Sequence, residues 1–112
     1  MITDRELLEL AAKAAGINHI VYTNDYDGSS GLVTCNSVGR HMLYWTPLTD
    51  DGDALRLAVK LHMCVTSFSD EQMVGFIIGK EGHNVYEMPG NDPYAATRRA
   101  IVCAAAEIGK VK

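Results

Sequence analysis

Met73-Val74-Gly75-Phe76-Ile77-Ile78 is apolar at nearly every position instead of alternating with polar residues. A half-exposed strand alternates with a period of two, whereas a run apolar at consecutive positions is usual for a strand covered on both faces. Ser69-Asp70-Glu71 supplies a turn before it. Gly79-Lys80-Glu81-Gly82 supplies one after it, with glycine where a tight hairpin tolerates positive φ. The neighbouring strand candidates, about 62–68 and 83–88, are mixed in character, as expected nearer a sheet edge. With the central run at 73–79 they form an antiparallel meander.

Outward from this meander the periodicity turns helical. Asp92 followed by Pro93 opens a last helix, since proline at the first helical position gives up an N–H that has no partner there. Tyr94, Ile101, Ala105 and Ile108 fall on one side of it, Arg99, Cys103 and Glu107 on the other, and Gly109 is expected to end it. Before the meander, Thr49 or Asp50 caps a second helix, with Asp50, Asp51 and Asp53 crowding its first turn, where the helix dipole favours negative charge. Ala54, Leu57, Ala58 and Leu61 form its apolar stripe, flanked by Leu55 and Val59. At the start of the chain, Thr3-x-x-Glu6 is a capping box ahead of a helix near 4–15, and Gly16 stops it. Shorter strands are expected at 19–22, 32–35 and 41–45, around the turn-rich stretch Asn24–Gly31. The expected fold class is α+β: an antiparallel sheet with a doubly covered central strand, layered with three helices as an α–β–α sandwich.

The chain has 112 residues, 47% of them apolar and 21% charged, which is the size and make-up of a single domain covering 1–112. Such a chain buries roughly two thirds of its unfolded surface and folds without disulfide staples. No apolar run approaches the roughly 20 residues of a membrane span, and the first residues lack the apolar core of a secretory signal. Three widely spaced cysteines, Cys35, Cys64 and Cys103, read as reduced thiols of a cytoplasmic protein. The net charge is −4, and all of it resides in residues 24–53, where Asp25, Asp27, Asp50, Asp51 and Asp53 face Arg40 alone. A mildly acidic chain without a basic patch argues against direct nucleic-acid binding, which draws its affinity from cations on phosphates.

Two segments resemble a known family. Trp45-Thr46-Pro47-Leu48-Thr49-Asp50-Asp51-Gly52-Asp53-Ala54 and its continuation to Leu61, together with Asp92-Pro93-Tyr94-Ala95-Ala96-Thr97-Arg98-Arg99 and its continuation to Gly109, are similar to small phage and prophage proteins of the phage ABA sandwich domain family. The opening residues 1–17 fit as well. The resemblance implies an α–β–α layered domain, a viral origin and a bacterial cytoplasm. It implies no activity and no catalytic residues, because the matching segments are helix caps and helix cores. Cys103 stands where the resemblance would place a basic residue.

The chemistry-bearing residues do not assemble into a known motif. His62-x-Cys64 places two metal-ligating side chains on one face of a strand, but a zinc site needs three or four ligands. Cys103, one helical turn from Arg99, is the thiol best placed beside a fixed cation, although a small residue in an Ala-rich helix explains it equally. Asp25-x-Asp27-Gly28 has the look of a calcium loop, but Asn36 occupies the twelfth position, where a bidentate glutamate is needed. Asp50, Asp51 and Asp53 are accounted for by helix capping, or else form an acidic patch for a basic partner. Tyr26 and Trp45 lie among these acids, and aromatic residues with a charged rim are typical of interface hot spots.

The expectation is therefore a phage- or prophage-encoded binding protein without chemistry, cofactor or metal. It would modulate a host protein or defence complex, for example as a CRISPR effector inhibitor, through Asp25, Tyr26, Asp27, Trp45, Asp50, Asp51 and Asp53. A small-ligand-binding or sequestering protein is the alternative, and an enzyme with an unrecognised site the second. An edge strand at 83–88 leaves a homodimer and a monomer, blunted by Glu87 and Pro89, both open.

Overall fold

Among the described residues, each of three helices starts on a side chain that accepts from a free N–H of its first turn. In the computed structural model, which describes residues 3–17, 20–24, 30–35 and 42–112, α1 spans Asp4–Ala15, and the Thr3 hydroxyl accepts from Glu6 N–H at 3.2 Å. Helix α2 spans Asp51–Lys60 and is capped by Asp50, which accepts from Asp53 N–H at 2.8 Å. Helix α3 spans Pro93–Lys110. Its cap, Asp92, accepts from Tyr94 N–H at 3.0 Å and Ala95 N–H at 3.2 Å. Thr3 and Asp92 are the caps the sequence predicts, and of the two candidates for α2, Thr49 and Asp50, the cap is Asp50.

The described strands form two antiparallel meanders instead of one sheet. Strands β1 (Ile20–Asn24), β2 (Ser30–Cys35) and β3 (Met42–Trp45) pair in that order. Strands β4 (Cys64–Ser67), β5 (Gln72–Ile78) and β6 (Glu81–Glu87) make the second sheet, with Val65 opposite Val74 and Phe76 opposite His83. Ile78 pairs with Glu81, so the hairpin loop is Gly79-Lys80, with Gly79 at φ 65°.

The mixed α+β class is as expected, and helices cover the second sheet; the layering differs in detail. On β5, Gln72, Val74 and Phe76 are buried against α3, while Ile77 on the opposite face is 58% exposed. Cover on both faces, expected for β5, thus holds for one of them among the described residues. Burial over most of the circumference belongs to α3, which beyond its first turn leaves the stripe of Arg99, Cys103, Glu107 and Lys110 at least partly open to solvent. Ala96, Ala100, Ile101, Val102, Ala104, Ala105, Ala106, Ile108 and Gly109 are all buried along it, and it packs on α1, α2, β5 and β6.

The reason lies in side-chain size. Ala11, Ala12, Ala14 and Ala15 of α1 meet the alanines of α3, so the two helix backbones come into near contact. Gly109 marks the crossing: a Cβ built there would collide with the Leu10 carbonyl, 2.8 Å from its carbon. Gly109 does not terminate α3, as its identity suggests; it lies inside the last turn, where only a hydrogen fits. Tyr94 likewise does not join the buried side of α3 but stands exposed at its first turn.

Candidate functional site

Two of the acids expected to form a partner surface, Asp50 and Asp53, are occupied in building the start of α2. Asp53 has a side chain only 15% exposed; its Oδ2 accepts from Thr46 N–H at 2.9 Å and its Oδ1 from Arg56 at 2.7 Å. Asp50 is the cap of α2. Asp51 Oδ1 accepts from Arg98 Nη1 at 2.6 Å, while Arg98 Nε donates to the Leu48 carbonyl at 2.9 Å, tying α3 to the segment before α2. Trp45 is half-buried and packs against the core, so it is a structural side chain more than a docking ring. Asp25, Tyr26 and Asp27 lie outside the described residues. The structure therefore gathers Asp50, Asp51 and Asp53 around one helix terminus, with the Asp51 side chain the most exposed of the three and bound, among the described residues, only to Arg98.

The metal and nucleophile readings come apart on geometry. His62 is not part of β4; it sits between α2 and β4 at φ 56°. With Cys64, His83 and Asn84 it borders a depression of about 380 Å³ on the second sheet, where His83 also stacks on Phe76 at 5.5 Å. Among the described residues no group of three or more His, Cys, Asp or Glu is placed to hold a metal ion. Burial pushes the Cys103 thiol above its ordinary value, outweighing the nearby Arg99. Arg99 is directed elsewhere, to Asp4 at 3.1 Å and Glu87 at 3.4 Å. A thiol held protonated in this way lacks the thiolate character of a nucleophile.

The feature the sequence did not single out is an apolar groove of about 460 Å³ between α2, β4 and the start of α3. Ala54 and Leu55 come from α2, Val65 and Ser67 from β4, and Pro93, Tyr94, Thr97, Arg98 and Ile101 from α3. Leu55 is 61% exposed and Tyr94 68%, so the walls project into solvent while Ala54 and Ile101 form the floor. Asp51 and Arg98 provide a charged rim on this otherwise apolar surface. Floor and walls are held by the Arg98 contacts and by Gln72. That buried amide on β5 donates to the Phe68 carbonyl at 3.3 Å and accepts from Thr97 Oγ1 at 2.9 Å, fixing α3 against the sheet. A signal was present in Leu55 and Val59, which flank the apolar stripe of α2 without belonging to it. Nothing local, however, announces that β4 and Tyr94 arrive beside them.

No family model, no curated protein and no solved structure matches this chain. Among the described residues, no helix is long and apolar enough to cross a membrane.

Proposed function

We propose that this chain acts by binding a protein partner, without covalent chemistry of its own, and that the groove between α2, β4 and α3 is the contact surface. The observation that carries the reading is the convergence of Leu55, Val65 and Tyr94, all exposed, on one apolar depression. Single exposed apolar residues are ordinary, whereas a contiguous set rimmed by charge marks an interaction site. In this proposal Asp51, one of the acids expected from the sequence, supplies the charge, and Tyr94, which was not among the expected site residues, supplies the ring. A groove of this volume falls within the range of small-molecule sites, but those enclose most of their ligand. Walls as open as Leu55 and Tyr94 suit a segment of a larger molecule better.

The partner in this proposal is a host protein or defence complex in a bacterial cytoplasm, in keeping with the phage or prophage origin that residues 45–61 and 92–109 suggest. An inhibitor of a CRISPR effector is one concrete form. The test is affinity capture from a bacterial lysate with the wild-type chain and with Leu55→Asp, followed by titration of the purified partner against both. The expected result is a partner whose affinity falls at least about tenfold in the variant, while the circular-dichroism spectrum is unchanged. Equal affinity for the two would remove the groove as the contact surface.

A further inference from the structure

We propose that the groove receives an extended peptide segment, added as a fourth strand along β4, with apolar side chains at alternate positions and a lysine or arginine set against Asp51. This rests on the groove reading above and specifies its occupant.

The first support is the phase of hydrogen bonding along β4. The second sheet runs β4-β5-β6, so the outer side of β4 has no strand neighbour among the described residues. Phe68 N–H donates to the Glu71 carbonyl at 2.9 Å, and the same register pairs Thr66 with Met73 and Cys64 with Gly75. Antiparallel pairs alternate between hydrogen-bonded and non-hydrogen-bonded. Cys64 and Thr66 therefore turn their main-chain groups towards β5, and Val65 and Ser67 turn theirs outward. Met63, in the same phase, has its outward N–H satisfied by the Ala58 carbonyl of α2 at 2.9 Å. Val65 and Ser67 have no such main-chain partner among the described residues. They present a short edge of donors and acceptors to solvent.

The second support is that this edge and the groove coincide. Val65 and Ser67 lie opposite Val74 and Gln72, which are buried against α3, so their side chains share the helix-facing side of the sheet and line the groove. A strand laid along β4 would match the outward main-chain groups. Its residues beside Val65 and Ser67 would project over Ala54, Leu55, Tyr94 and Ile101. Main-chain pairing for affinity, with alternate side chains in pockets for specificity, is how strand-addition sites work. Strand β6 also ends its sheet, but the apolar groove adjoins β4. The third support is charge: Asp51 is paired with Arg98 through Oδ1 at 2.6 Å but keeps 71% of its side chain exposed, so its Oδ2 faces the rim of a chain with net charge −4 and favours a basic residue in the incoming segment.

The probe is a displayed random-peptide library selected on the full chain, with the enriched peptides then synthesised. The expected peptides alternate apolar residues with a period of two, carry a lysine or arginine, and shift the amide resonances of Val65 and Ser67 on titration. N-methylation of the peptide amides that face β4 weakens binding about tenfold or more, as loss of two main-chain hydrogen bonds requires. Asp51→Asn removes the preference for a basic residue. No enrichment, bound peptides that are helical, or indifference to N-methylation overturns the proposal. Peptides indifferent to methylation but lost in Leu55→Asp would leave the groove as the contact surface and remove the strand. Peptides that bind Leu55→Asp and Tyr94→Ala as well as the wild type would remove both.

Discussion

His62 closes α2 in the left-handed region, at φ 56°, with its own N–H donating to the Val59 carbonyl at 3.2 Å and Met63 N–H to the Ala58 carbonyl at 2.9 Å. That is the Schellman arrangement, and α1 makes the same one with Gly16 at φ 73°. Gly16 was legible as a stop because glycine adopts this conformation without strain. His62 was not, and the strand expected over 62–68 absorbed it. Glycine at 62 relieves a left-handed penalty of about 1–2 kcal/mol and gives back part of it as unfolded-state entropy. His62→Gly is therefore expected to stabilise the fold by about 0.5–1 kcal/mol, seen as a higher urea midpoint with an unchanged slope; a lower midpoint would contradict the strain assignment. The aspartates of α2 separate by the same kind of reasoning. Asp53 satisfies Thr46 N–H from a nearly buried position, whereas Asp51 is mostly exposed beside Arg98. Asp53→Ala is expected to cost about 1–2 kcal/mol and Asp51→Ala less than about 1 kcal/mol by chemical denaturation. Equal costs would mean that Asp51 is as structural as its neighbour and a poorer choice for a binding rim. A charge reversal of all three acids, the direct reading of the sequence, would disturb capping and binding together.

At the scale of elements, what was legible is what local chemistry decides. Thr3, Asp50 and Asp92 name their helices because each offers a side-chain acceptor to N–H groups that have no intrahelical partner. The strand β5 and the Gly79 turn were legible for similar reasons. What escaped is the choice of partner. The apolar run 73–78 suggested two covering layers, but an apolar sequence does not say which surface arrives to cover it, and only the side of Val74 and Phe76 received α3. The helix covered over most of its circumference is the alanine-rich one, since small side chains let neighbouring backbones approach from several directions. Gly109 is the sharpest instance, and it carries a sign-reversed prediction. In an exposed helix Gly→Ala is stabilising by about 1 kcal/mol, whereas here the added methyl meets the Leu10 backbone, which cannot rotate away. Gly109→Ala is expected to destabilise by about 2–3 kcal/mol in thermal or urea unfolding. A neutral or stabilising result would show that α1 and α3 do not cross there. The groove escaped for the same reason as the crossing: Leu55, Val65 and Tyr94 are far apart in the chain, and each alone reads as an ordinary surface residue.

For the molecule as a whole, α3 is the element through which α1, α2 and the second sheet are joined, while the first sheet meets the helices where β2 packs on α1. Leu7, Leu8 and the alanines of α1, Ala54, Leu57 and Ala58 of α2, and Val74 and Phe76 of β5 belong to one buried cluster with Ala100, Ile101, Val102 and Ile108 of α3. Arg98 and Arg99 extend these ties at the surface, to Leu48 and Asp51 on one side and to Asp4 and Glu87 on the other. No part of that cluster can open while α3 stays in place without exposing its alanine faces to water. Unfolding of α1, α2, α3 and the second sheet should then be a single cooperative event, with α3 as the last element to open. Native-state hydrogen exchange tests this directly: amides of Ala100–Ile108 are expected to exchange only by global unfolding. Their free energy of opening should equal that extrapolated from urea denaturation, within the roughly 5–15 kcal/mol usual for a domain. Exchange from α3 at a markedly lower free energy, or two separate urea transitions, would mean that α1 and the second sheet hold together independently of the helix between them. In that event the groove, whose walls come from α2, β4 and α3 at once, would form and dissolve with the weaker unit.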